Sequence, residues 1–304
     1  MYWHRPHTST TKLPVVFIHG IGIGLYPYTK FLTELNSNTG IESPDPNDQV
    51  GIIAIEIMPV SFRLTHPALD RQAMCEEIDE IVSHHFPDQK VVLVSHSYGT
   101  VISTHMLKIP SIAERIGPVV LIDPVSILLH LPDVAYNFTR RQPVRANEHQ
   151  LYYFASMDMG VSHTLARRFF WNENVLWKQD MGGRKVAVSL GGRDLIVNAE
   201  AVGRYLSSGP PIKARHENGH MNGTAGSAVL IDLECDDALE PGGEETALDP
   251  SDEEDEEEWK HRPWKGKGID ILWFKDLDHA QVFDKKDTRR RLIGAIHEYC
   301  EDGN

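Results

Sequence analysis

Val91-Val92-Leu93-Val94-Ser95-His96-Ser97-Tyr98-Gly99-Thr100 is an apolar, largely β-branched run that gives way to small and polar residues. Its first four residues read as a buried strand, and residues 98–108 beyond it read as a helix. Small residues, Ser95 and Gly99, stand two before and two after Ser97. A nucleophile on a sharp strand-to-helix turn crowds its neighbours, so those two positions have to be small. Such a turn exposes the Ser97 hydroxyl and aims the N–H of Tyr98 at a developing oxyanion. The plain alternative is a turn of small residues after a core strand. Ser95 is the weaker nucleophile, because its own neighbour at −2 is Leu93.

Working outward, strands are expected at 13–19, 50–58, 90–95, 119–122, 186–190 and 269–274, and helices at 26–35, 68–85, 98–108 and 285–300. Strands alternating with helices make an α/β fold, a mostly parallel sheet with helices on both faces. Such sheets place ligands beyond the carboxyl ends of their strands. Three strand ends carry reactive side chains: Ser97, Asp194 and His279. Two segments interrupt the alternation. Residues 126–181 lack strand signals and are rich in aromatics, among them Tyr152, Tyr153, Phe154, Phe169, Phe170, Trp171 and Trp177, and are expected to form a helical cap. Residues 214–267 form an acidic insertion, expected to be mostly disordered because like charges repel and stay solvated. The core is thus divided into 1–125, 182–213 and 268–304.

Within 232–258 there are 15 acidic residues and no Lys or Arg. They account for the net charge of −14; without them 29 acidic residues face 30 Lys and Arg. A nearly neutral body gives no sign of nucleic-acid binding. No apolar run reaches the roughly 18–20 residues of a membrane span, and the first residues, MYWHRPHTSTTKLP, contain no signal-peptide core. Cys75, Cys235 and Cys300 are odd in number and far apart, which fits a reducing compartment and a cytoplasmic location better than a disulfide framework. The triplets at Asn137 and Asn222 match a glycosylation pattern that is common by chance.

The Ser95–Gly99 turn resembles the nucleophile elbow of the α/β-hydrolase superfamily, with Ser95 where the first glycine of G-x-S-x-G usually stands. That resemblance implies an α/β-hydrolase fold and serine-based hydrolysis, and it organises three further elements. His19-Gly20-Ile21-Gly22-Ile23-Gly24 is similar to the superfamily's HG loop, which implies a second oxyanion N–H from Ile21, or failing that Gly22, with His19 structural. Gly191-Gly192-Arg193-Asp194 looks like the position of the acid that orients the base; Asp123, at an earlier strand end, is the alternative acid. His279, just past the last strand, stands where the superfamily keeps its base. The order Ser, Asp, His matches. The likeness spans about residues 13–125 and 185–300 and is to fungal members. Two antiparallel strands usually precede the HG strand. Only twelve residues do so here, so the sheet is expected to lack both.

The functional expectation is a serine esterase or lipase-like enzyme acting on a small ester, thioester or lipid-like substrate, with no metal or organic cofactor. Oligomeric state is not legible. Serine as nucleophile argues against the aspartate-based haloalkane dehalogenase and epoxide hydrolase branches. A non-catalytic hydrolase-like binding protein is the second reading, motivated by the missing edge strands. His216-Glu217-Asn218-Gly219-His220 matches the zinc-protease pattern H-E-x-x-H. However, Asn218-Gly219 favours a turn over the helix that would align His216 with His220, so a zinc site is not expected.

Overall fold

The computed structural model describes residues 1–36, 48–208 and 258–303. Seven strands form one sheet: β1 (Tyr2–Arg5), β2 (Val15–Ile18), β3 (Ile52–Ile55), β4 (Val91–His96), β5 (Ile116–Ile122), β6 (Val186–Gly191) and β7 (Ile269–Phe274). Their order is β1-β3-β2-β4-β5-β6-β7. All pairs are parallel except β1 with β3. The register sets His96 beside Ile122, Ile122 beside Ser189, and Gly191 beside Phe274. The carboxyl ends of β4 to β7 therefore lie side by side, where the reactive side chains were expected.

The helices are α1 (Thr29–Asn36), α2 (Arg71–His85), α3 (Gly99–Leu107), α4 (Pro110–Ala113), α5 (Pro132–Thr139), α6 (Ala146–Leu151), α7 (Met159–Arg168), α8 (Trp171–Asn174), α9 (Ala199–Ser207) and α10 (Lys286–Cys300). Successive strand residues point to opposite faces, so the sheet feeds two cores. Val91 and Leu93 join Ile78 and Val82 of α2 and Val202 of α9 on one face. Val92 and Val94 join Phe31 of α1 and Leu292 and Ile296 of α10 on the other. Both faces of β2 and β4 are fully buried, which explains their unbroken apolar sequences. Helices α5 to α8, with helical turns at Tyr152–Ser156 and Lys178–Met181, fill the stretch between β5 and β6.

One expectation is corrected. The edge of the sheet does not lack both antiparallel strands: Tyr2–Arg5 pairs with Ile52–Ile55, Trp3 opposite Ala54. Smaller differences have local causes. Helix α2 begins at Arg71, not 68, because the Asp70 side chain caps it by accepting the Ala73 N–H at 2.9 Å. The second expected strand stops at Ile55, and Met58-Pro59-Val60 form a 3-10 turn. Of the acidic insertion, the part from Glu258 on is described. There Trp259 is buried edge-on against Trp273, ring centroids 5.1 Å apart. His216, His220, Asn222 and Cys235 lie outside the described residues. No helix among the described residues is long and apolar enough to cross a membrane.

Candidate active site

Strand β4 ends at His96, and the chain turns sharply into α3 through Ser97. Ser97 has φ of 50°, left-handed backbone that a serine adopts only when its surroundings hold it there. Gly99 shows why the turn needs a small residue two positions on. A Cβ at Gly99 would lie 2.3 Å from the Ile18 carbonyl oxygen, so any side chain would have to push strand β2 away. Gly20 makes room on the other side, since a Cβ there would lie 2.8 Å from the Ser97 Cβ. Ser95 is fully buried within β4, and its hydroxyl meets no partner.

Ser97 Oγ lies 2.9 Å from His279 Nε2, and His279 Nδ1 lies 2.8 Å from Asp194 Oδ2. A carboxylate only accepts hydrogen bonds, so in the neutral imidazole Nδ1 carries the proton and Nε2 presents its lone pair to the Ser97 hydroxyl. The second Asp194 oxygen accepts the Ile196 and Val197 N–H groups at 2.7 and 2.8 Å, which fixes the carboxylate. Burial alone would lower the His279 pKa. The Asp194 carboxylate, with Asp123 and Asp278 behind it, reverses this and raises it to about 9.

Asp123 sits next to this set but engages different groups. It is buried and has φ of 43°. Its Oδ1 accepts the Gly191 N–H at 3.2 Å and its Oδ2 the Ala280 N–H at 2.8 Å. Asp123 thereby ties the end of β5 to the end of β6 and to the residue after His279. Burial opposes its charge, but His96, His279 and the Ala280 N–H hold its carboxyl below the usual range. Ser97, Asp123 and Ala280 all have positive φ, so three strained residues converge here. Asp123, Asp194 and His279 also form the one cluster of potential metal ligands among the described residues, within 4.8 Å of one another. The hydrogen bonds just given already engage every one of those groups.

Ile21 and Tyr98 flank Ser97 along one cavity. The Gly22 N–H is bonded to the Val60 carbonyl at 3.0 Å. Neither the Ile21 nor the Tyr98 N–H has a hydrogen-bond partner among the described residues. The HG loop is pinned from behind. His19 Nε2 accepts the Ile57 N–H at 2.9 Å, so its Nδ1 donates to the Gly20 carbonyl at 2.5 Å. Burial pushes the His19 pKa down to about 4, and both its nitrogens are occupied.

Sequence reading passed over several residues that shape the site. The Tyr28 hydroxyl accepts the Gly20 N–H at 3.2 Å and bonds His96 Nδ1 at 2.7 Å, while His96 Nε2 points toward Asp123 at 3.8 Å. Asp278 Oδ1 accepts the N–H groups of Leu195 and His279 at 2.9 and 2.7 Å, and its Oδ2 accepts from Asn147 of α6 at 2.7 Å. Adjacency to Ser97 and to His279 was the available signal for His96 and Asp278. Nothing local pointed to Tyr28 or Asn147.

A cavity of about 200 Å³ opens from Ser97 between the ends of β4 and β5 and helices α5 and α7. Val125, Leu129, Phe138, Leu165 and Phe169 are among the residues that line it. Of the aromatics noted in the sequence of this stretch, Phe169 and Trp171 line it; all but Phe169 are exposed, Trp171 included.

No family model and no curated protein sequence matches the chain. Solved structures do resemble it. A thermophilic esterase from Thermogutta terrifontis superposes with a TM-score of 0.54 at 12% identity, covering 100% of this chain and 93% of that one. MenH from S. aureus gives 0.53 at 10% identity, covering 98% of each chain. The monoacylglycerol lipase from Paleococcus ferrophilus gives 0.51 at 15% identity, covering all of both chains. The chain thus has an α/β-hydrolase fold, as the elbow, the HG loop and the strand order imply.

Proposed function

We propose that this chain is a serine hydrolase that cleaves carboxylic esters, or thioesters, of a hydrophobic acyl group. The observation that carries the proposal is the pair of contacts from Ser97 Oγ to His279 Nε2 (2.9 Å) and from His279 Nδ1 to Asp194 Oδ2 (2.8 Å), at the ends of three parallel strands. His279 takes the Ser97 proton as Oγ bonds to the substrate carbonyl carbon. The N–H groups of Tyr98 and Ile21 receive the oxyanion. The tetrahedral species collapses, the alcohol or thiol leaves with the proton from His279, and Ser97 holds the acyl group. Water then attacks, gives a proton to His279, and the acid departs as Ser97 regains its hydrogen. Asp194 keeps the imidazole in the tautomer this sequence of transfers needs and stabilises its cationic form.

The test is hydrolysis of p-nitrophenyl esters by the purified chain across pH. The base works only when neutral, and its pKa is raised. Activity as kcat/KM is therefore expected to climb through the alkaline range, with its limb well above the ordinary histidine value of about 6.5. A limb near 6.5 or below would show that burial offsets the carboxylates around His279.

A further inference from the structure

We infer that the acyl group this site selects is neutral and of about six to eight carbons; the inference rests on ester hydrolysis at Ser97. An apolar cavity of about 150 Å³ holds one benzene. The cavity leading from Ser97 is about 200 Å³, room for a six- to eight-carbon chain beyond which the tail must leave the pocket. The lining contains no charged side chain. Its one hydroxyl besides Ser97 and Tyr98 belongs to Thr139, and that group is spent on the Ala135 carbonyl at 2.6 Å. A carboxylate or ammonium at the far end of the acyl chain would find no opposite charge there, and burying a lone charge is costly. Val125 and Leu129, two of the lining residues, are buried in the body of the protein. Two of the lining rings pack together: Tyr98 beside Ser97 lies nearly parallel to Phe169, with centroids 6.3 Å apart and planes 28° from each other. Helix α5 contributes Val134 and Phe138 to the lining, both half-buried and both outside the catalytic contacts, so they are the residues through which chain length can be tuned.

The test is a series of p-nitrophenyl esters from acetyl to palmitoyl, kept below aggregation, with the native chain. Each buried methylene strengthens binding about three- to fourfold. The expected profile has its kcat/KM maximum at hexanoyl or octanoyl, at least about tenfold above both acetyl and palmitoyl. An ester of hexanedioic acid with its second carboxylate free is expected to react at least about 100-fold more slowly than the hexanoyl ester. Val134→Phe should lower the octanoyl-to-acetyl ratio by about tenfold, and Phe138→Ala should move the maximum to longer chains. Opposite shifts in two variants cannot both come from misfolding. A maximum at acetyl or at palmitoyl, with turnover intact, overturns the inference and leaves ester hydrolysis standing. No turnover of any chain length, together with no reaction of Ser97 with a fluorophosphonate, removes both.

Discussion

Replacing Ser97 by alanine is expected to lower kcat for ester hydrolysis by about 10⁶-fold, with little change in thermal stability. The acyl group has nowhere else to go. Ser95 is sealed inside β4, and its hydroxyl meets no base. His19 and His96 cannot substitute as bases, because burial holds the pKa of each down to about 4 and His19 has both nitrogens engaged. The residual rate would come from the free N–H groups of Tyr98 and Ile21 and from substrate binding in the apolar cavity. Circular dichroism and a melting curve alongside the kinetics separate loss of chemistry from loss of fold. Since the side chain removed is one hydroxyl and the turn itself is held by Gly20 and Gly99, the fold should persist. A variant retaining a tenth of native activity would place the nucleophile elsewhere.

The second large effect separates the two buried carboxylates. Asp194→Asn should reduce kcat by about 10⁴-fold, since an amide can donate to Nδ1 and so trap the imidazole in the wrong tautomer. Asp123→Asn should cost far less, about 10- to 100-fold, and its signature should be different. Removing the Asp123 charge takes away one of the carboxylates that raise the His279 pKa, so the alkaline limb of the pH profile should move toward neutrality. One of the two N–H bonds at Gly191 and Ala280 also loses its acceptor, which loosens the loop that carries His279. These outcomes would make Asp123 a positioning residue. If the order of severity were reversed, Asp123 and not Asp194 would be the acid of the set.

The strands were legible because parallel strands buried on both faces leave continuous apolar runs, as in β2 and β4, and because glycines and small residues mark where they stop. Strand β1 was not. Its four residues, Tyr-Trp-His-Arg, form an exposed to half-buried edge with no apolar run, and only pairing with β3 makes it a strand. The candidate residues Ser97, Asp194 and His279 were found through their positions at strand ends. That Ser97 touches His279 across 182 positions of sequence follows from strand order, not from any spacing along the chain. The supporting residues eluded sequence reading for the same reason. Tyr28 reaches His96 across 68 positions and Asn147 reaches Asp278 across 131, and neither residue type announces such a role. The bond from the Gly22 N–H to the Val60 carbonyl is likewise a contact that no pattern of glycines could reveal.

The most direct test of Ser97 as a histidine-activated nucleophile is labelling of the folded native chain with a fluorophosphonate, followed by mass spectrometry of the modified peptide. The expected result is one phosphonyl group per chain, on Ser97, formed faster as pH rises toward alkaline values and lost in His279→Ala. Folded protein that stays unlabelled, or that carries the group on Ser95 or another residue, would contradict it.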